Sequence, residues 1–281
     1  MQATNSQMSA VARAVFWFVA VNALAGALSL MLFPTRTDTL FFWEIKPAIN
    51  ASLFGALYLG GAATVAWVTY RGAWETARFL VPILVTAGVL ISATTFLHLD
   101  RFEPGVKLLY WLVIYVGAPL LALALYAQHE RAGADWGMIE PVRPAVRSIA
   151  LALGGVLVAG GLAILIWPGA LVMYWPWPIS TLMLRIFASW FSAFGAGLLW
   201  FLVERDWRRV RHVADLMVAA AVADLLMVVI YRGDLTSAGL SLWIYCFHLA
   251  VFGLAGLLMR WLQRKAVLAA RRTGGSGWSV S

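Results

Sequence analysis

Residues 182–203 read LMLRIFASWFSAFGAGLLWFLV, an apolar run interrupted by a single charge, Arg185. Crossing the hydrocarbon core of a bilayer takes roughly 20 apolar residues, and this stretch has that length. Inside a bilayer its backbone polar groups must be satisfied within the segment, so the stretch is a helix. Seven other stretches share its character, near 14–33, 48–69, 79–99, 108–127, 148–167, 213–231 and 240–262. Composition agrees. Hydrophobic residues make up 62% of the chain and charged residues 12%, with a mean hydropathy of +0.82, well outside the soluble range. The expected fold class is all-α: a polytopic membrane bundle of eight transmembrane helices. Ala23-Leu24-Ala25 resembles a signal-peptide cleavage site, but the apolar run continues to Phe33 and the first stretch reads as a retained helix.

The chain also looks written twice. Trp43, Trp67, Trp74 and Trp111 recur as Trp177, Trp200, Trp207 and Trp243, at offsets of 134, 133, 133 and 132. The same register aligns Phe33-Pro34 with Trp167-Pro168, Phe54 with Phe187, and Arg78 with Arg211. The expected organisation is a first four-helix repeat over 1–127 with a loose start at 1–12, and a cytoplasmic linker over 128–147. A second repeat over 148–270 and a disordered tail over 271–281 follow. With an even number of spans in each, the repeats share one orientation, which implies an axis along the membrane normal. Small residues one turn apart, Ala56 and Gly60 in the second helix, Ser189, Ala193 and Gly197 in the sixth, let helix backbones approach. They place those two helices together across the axis.

Charge sets the expected orientation. Fifteen Lys and Arg residues fall on the side that holds both termini and six on the other, so the termini are cytoplasmic in a cell (inner) membrane. The net charge of +8 sits at helix ends, where it suits anionic headgroups rather than nucleic acid. One cysteine, Cys246, excludes an internal disulfide framework and a cysteine metal cluster.

Charged groups inside the spans are few, and each calls for a partner or a purpose. Arg185, Asp224 and His248 lie on the sixth, seventh and eighth spans, about 9–12 Å from their outer ends at 1.5 Å per residue. Their register counterparts are Ser52, Ile91 and Val116. Two readings stand: a polar pocket open to the outside that takes a small ligand, or a structural Arg185–Asp224 ion pair with His248 nearby. A secondary candidate cluster, His98, Asp100 and Arg101, caps the outer end of the third helix. One His with one Asp falls short of a metal set. Asp215 is expected to pair with Arg211 one turn away. Trp175-Pro176-Trp177-Pro178 reads as an interfacial aromatic belt, and Trp74 and Trp207 as interfacial anchors. Facing axial haem ligands, a Walker loop and a nucleophile elbow are missing, so neither cofactor nor metal is expected.

Trp175-Pro176-Trp177-Pro178-Ile179-Ser180-Thr181-Leu182-Met183-Leu184-Arg185, with Trp190 and Glu204-Arg205-Asp206-Trp207-Arg208-Arg209, resembles a group of uncharacterised bacterial multi-pass membrane proteins. Those proteins carry a Trp-Pro-Trp-x-Leu-Thr-x-Leu-x-x-Arg stretch, where Ile179 and Ser180 here replace the Leu-Thr pair. Leu97-His98-Leu99-Asp100-Arg101-Phe102 is similar to the same group in the first half. The resemblance implies architecture and highlights Arg185 and His98; it implies no activity. The function expected from the residues is binding or transport of a small ligand among the sixth to eighth helices. The alternative is a non-catalytic accessory subunit of a larger membrane complex, and a membrane-embedded enzyme comes third. The partners expected are the lipid bilayer, a small ligand or a complex partner, and no nucleic acid.

Overall fold

Eight helices are long and apolar enough to cross a membrane: α1 (Ala10–Leu32), α2 (Ala48–Arg71), α3 (Leu80–Leu97), α4 (Val106–Arg131), α5 (Pro144–Ile166), α6 (Thr181–Leu202), α7 (Trp207–Ile230) and α8 (Leu240–Gly274, crossing by Leu240–Lys265). This computed structural model describes residues 7–131, 137–236 and 239–274, with side chains as far as 265. The described chain is all-α and multi-pass, the form a chain of this hydropathy must take in lipid.

Local chemistry sets the helix ends. Ser9 Oγ accepts from Ala12 N at 3.2 Å, Ser180 Oγ from Met183 N at 3.2 Å, and Asp206 Oδ1 from Arg208 N at 2.9 Å, each filling an orphan donor of a first turn. Pro47 offers α2 no side-chain cap, and Asp234, from the turn after α7, supplies it: its Oδ2 accepts from Ile49 N at 2.9 Å. At the other end of α2 the chain turns through Gly72 at φ 67°, a left-handed conformation suited to glycine.

Within the first half α1 packs along α2 and α3 against α4; in the second, α5 packs along α6 and α7 against α8. Between the halves, α6 lies on α3 and α2 lies on α7. Gly60 and Gly197 serve these contacts, and α2 and α6 do not pack along each other as expected from sequence. A Cβ at Gly197 would come within 2.8 Å of Ile83 on α3, and one at Gly60 within 3.5 Å of Leu216 on α7. Rings join α2 to α6, Tyr58 standing edge-on to Trp190 at 6.0 Å.

The segments before α1 and α5 are strapped to the bundle. Met8 N donates to Gly72 O at 2.8 Å, Val142 N to Arg205 O at 2.8 Å, and Trp207 N to Glu140 O at 2.7 Å. The expected loose start therefore does not hold from residue 7, because Met8 is buried and Ser9 caps α1. Residues 1–6, 132–136 and 275–281 lie outside the described residues, and with them parts of the expected loose start, linker and tail; 271–274 continue α8 as helix.

Several tryptophans do other work than expected. Trp74 and Trp207 are buried, Trp74 stacking on His129 at 4.0 Å, so neither is an interfacial anchor. Trp177 is also buried; its Nε1 donates to Asn50 Oδ1 at 2.8 Å and its ring packs on Tyr245 at 5.0 Å. That residue ties its loop to α2 and α8 and does not float it at the headgroups. Trp111 is 1% exposed and Trp243 72%, so these two do not share an environment. Tyr245 stands against Trp177 as Trp111 stands against Trp43, at 5.0 and 5.1 Å.

Candidate functional site

Pro119 in α4 has no N–H, so the Tyr115 carbonyl four residues earlier lacks its helical donor. The helix adopts a π turn over Val113–Gly117, and the freed carbonyl accepts from Ser92 Oγ on α3 at 3.2 Å. Gly88, one turn before Ser92, lets this bulge approach α3: a Cβ there would lie 2.3 Å from Pro119 Cγ and 2.7 Å from the Tyr115 oxygen. Such bulges recur where a helix must re-aim a side chain. Here the Tyr115 phenol meets the Tyr58 phenol of α2 in a buried hydrogen bond. One turn earlier, Trp111 Nε1 donates to Thr95 Oγ1 at 2.9 Å, locking α4 to α3.

Beside the two phenols lies a cavity of about 260 Å³ among α1–α4, its wall completed by Trp190 and Phe194 of α6 and Leu216 of α7. Tyr58 and Tyr115 sit ten and nine residues into their helices, about 15 Å from those ends and near mid-span. The main α1–α4 contact is through residues 118–131. Beyond it, a Tyr110–Asn22 hydrogen bond, phenol to carboxamide oxygen, crosses the gap between the helices. Ala25, Leu40 and Tyr110 line the cavity and are exposed, so it opens on the flank of the bundle, where lipid would lie.

No charged side chain lines this cavity among the described residues. Most of its polar groups are already engaged. Asn22 Nδ2 donates to Phe18 O at 2.8 Å, Ser29 Oγ to Gly26 O at 3.0 Å, and Thr64 Oγ1 to Gly60 O at 2.9 Å. The indole nitrogen of Trp190 is buried without an acceptor among the described residues.

The residues singled out from sequence fall into two separate places. Arg185 does not pair with Asp224. Its Nε donates to Leu165 O at 2.9 Å and its Nη1 to His98 Nε2 at 2.8 Å, joining α6, α5 and the end of α3. Burial, then the adjacent guanidinium, lower the His98 pKa from its usual 6.5, which keeps the ring neutral as an acceptor. Asp100 and Arg101 pair with one another at 3.1 Å on the exposed rim. Asp224, 4% exposed, has no hydrogen-bond or ion-pair partner among the described residues at its buried Oδ1. It shares a void of about 10 Å³ with His248, Phe191, Phe194 and Leu249, room for one water and not for a ligand. Asp215 pairs with Arg260 of α8, and with His212 at 3.6 Å, rather than with Arg211.

A further polar cluster lies at the arginine-rich end of the bundle. Glu204 is buried between two arginines, Arg78 Nη1 at 3.8 Å and Arg209 Nη1 at 3.5 Å. Arg78 also holds Glu130 at 3.0 Å and Arg209 holds Glu75 at 3.2 Å. Arg78 lies over the rings of Trp200 and Tyr126 at 5.5 and 5.9 Å. Counting charges for orientation hid this cluster, because loop arginines count the same whether solvated or buried. The cavity was missed for another reason: its lining is mostly apolar, with a few hydroxyls and glycines that read as ordinary helix. Pro119 four residues after Tyr115 was the available signal.

No protein-family model, curated protein or solved structure matches the chain. Its function has to be read from the site.

Proposed function

We propose that this integral membrane protein binds a small lipophilic molecule that enters the α1–α4 cavity sideways from the bilayer. The observation that carries the reading is the cavity itself: about 260 Å³, without a charged side chain among its described lining residues, open on an apolar flank and lined by a buried pair of phenols. Ligand sites are concave and mostly apolar, with a few polar groups that fix orientation, and this one fits that description. The proposal keeps small-ligand binding as the function and moves its seat from the polar residues of α6–α8 to the first half. The arginine-rich end, with fifteen basic residues against six, is the cytoplasmic one in this reading.

We further propose that the two halves are a duplication, and several correspondences support it. Helices α1 and α5 are both 23 residues long and begin 134 residues apart. The bridge Gln7–Ala73 recurs as Pro141–Asp206, and the α6–α3 contact mirrors the α2–α7 contact. In this alignment Tyr58 corresponds to Phe191 and Tyr115 to Leu249. The void beside Asp224 is then the collapsed counterpart of the open cavity, which gives the first half the binding role.

Gly61 tests the binding reading, because it lines the cavity and a Cβ there meets nothing within 4 Å. In lipid nanodiscs, equilibrium dialysis should show 2-ethylnaphthalene taken up above the level of empty discs. Gly61→Phe, which fills the space, should remove that excess without lowering thermal stability. An excess that survives Gly61→Phe would refute the site.

A further inference from the structure

Counting hydrogen-bond capacity in the cavity narrows the ligand further. Tyr58 and Tyr115 carry two phenolic protons between them, and their mutual bond uses one. Neither hydroxyl has another acceptor among the described residues, so one O–H remains to donate. Trp190 lines the same cavity, and its Nε1–H, a donor that can never accept, is buried without a partner. Ser29, Thr64, Tyr110 and Trp111 have their donors committed to protein oxygens, and Asn22, at the exposed mouth, gives one of its two N–H groups to Phe18 O. The buried capacity that remains is therefore two donors, one from the phenol pair and one from Trp190, whose ring stands edge-on to that of Tyr58 with centroids 6.0 Å apart. A buried donor without an acceptor is costly, so both favour an occupant that brings one. With no charged residue in the wall among the described residues, an anion would enter without a counter-charge.

We propose that the ligand is a neutral lipophile bearing a hydrogen-bond-accepting carbonyl, a ketone, quinone or ester, whose oxygen docks between the Tyr58–Tyr115 pair and Trp190. This rests on the binding reading above and adds the chemistry of the head. The polar end lies near mid-span and the apolar body reaches toward the gap between α1 and α4. A hydrocarbon of the same shape fills the space but leaves both donors idle.

The test is a matched pair, 2-acetylnaphthalene and 2-ethylnaphthalene, in which a carbonyl replaces a methylene. Both are measured by equilibrium dialysis against nanodiscs holding the full chain, with empty discs subtracted. The ketone should bind about threefold to tenfold tighter for each hydrogen bond made. Tyr58→Phe or Tyr115→Phe alone should keep the preference, because the surviving phenol, freed from its neighbour, still has its proton to give. The triple change Tyr58→Phe, Tyr115→Phe and Trp190→Phe should abolish the preference while 2-ethylnaphthalene still binds. Equal binding of the two compounds to the wild-type protein, with both lost in Gly61→Phe, would overturn the carbonyl assignment and leave the cavity reading standing. Binding of neither compound would overturn both. A preference that persists in the triple variant would overturn the assignment of the donors.

Discussion

Nη1 of Arg185 on α6 lies 2.8 Å from Nε2 of His98 at the end of α3, while Asp224, on the neighbouring α7, holds no cation among the described residues. One bond joins residues that the sequence put in two different clusters, and it separates two that the sequence put in one. The neutral imidazole accepts a hydrogen bond from the guanidinium, and the Leu165 carbonyl accepts a second. The arginine is thereby satisfied without a carboxylate.

That relationship predicts a pH dependence of stability. The His98 pKa is lowered by burial and then by Arg185, with Asp100 opposing and Arg101 adding to the effect. The unfolded chain therefore takes up this proton more readily than the folded one. The contribution is fully present above about pH 6.5 and is lost as the pH falls. Melting temperature in detergent should drop between pH 8 and pH 5.5. The drop should be smaller in His98→Gln, whose carboxamide oxygen still accepts from Arg185 but does not titrate. Identical slopes in the two proteins would remove His98 as the cause.

Asp224 and Arg185 should behave as independent sites. Arg185→Leu loses two charge-assisted hydrogen bonds and should destabilise by about 1–3 kcal/mol. Asp224→Asn removes a carboxylate that has no partner and should be neutral or stabilising. The double variant should be additive within about 0.5 kcal/mol, since the two side chains share no bonding partner. A double variant markedly more stable than the sum of the singles would show that the residues are coupled.

Much of the architecture was legible in residue types and little of the site was. Eight helices follow from hydropathy, because lipid leaves the backbone no alternative. The capping residues Ser9, Ser180 and Asp206 and the turn at Gly72 are local chemistry of the same kind. Pairings across the bundle are not local. Arg185 sits at one depth with Asp224, yet rotation about each helix axis decides which neighbours meet, and a count of residues from the span end gives depth alone. The tryptophan register carried Trp111 onto Trp243, whereas the ring that packs in the corresponding place is Tyr245, because α8 keeps the spacing of its start and not of its tryptophan. The cavity is an absence of atoms beside Gly61, Gly26 and Ala25 and next to the bulge at Val113–Gly117, and the sequence hints at it only through Pro119.

Glu204 should matter far more than a surface acid. Removing it by Glu204→Ala weakens both Arg78 and Arg209 and strips the acceptor from the N–H groups of Arg205 and Asp206, each at 2.9 Å. The expected loss is about 2–3 kcal/mol, short of the roughly 3–5 kcal/mol of an orphaned buried charge, because Glu130 and Glu75 still hold the arginines. Glu44→Ala, which breaks an exposed pair with Lys46, should cost far less, because solvent screens both charges. Chemical denaturation of the two variants beside the wild type decides it; equal losses would mean that the buried cluster contributes no more than a surface bridge.

Orientation is open to labelling. With Cys246→Ser as background, Ile139→Cys and Glu103→Cys place exposed thiols at the arginine-rich and arginine-poor ends. A membrane-impermeant maleimide added to intact cells should react at 103 and not at 139. Reaction at 139 from outside would invert the topology.

The central claim, a lipophile seated among α1–α4, is tested most directly by locating a heavy atom. Crystals of the protein grown with 6-bromo-2-acetylnaphthalene should give an anomalous bromine peak inside the cavity bounded by Gly61, Tyr58 and Trp190, and none in Gly61→Phe. A peak beside Asp224 and His248, or no peak inside the bundle, would contradict the account.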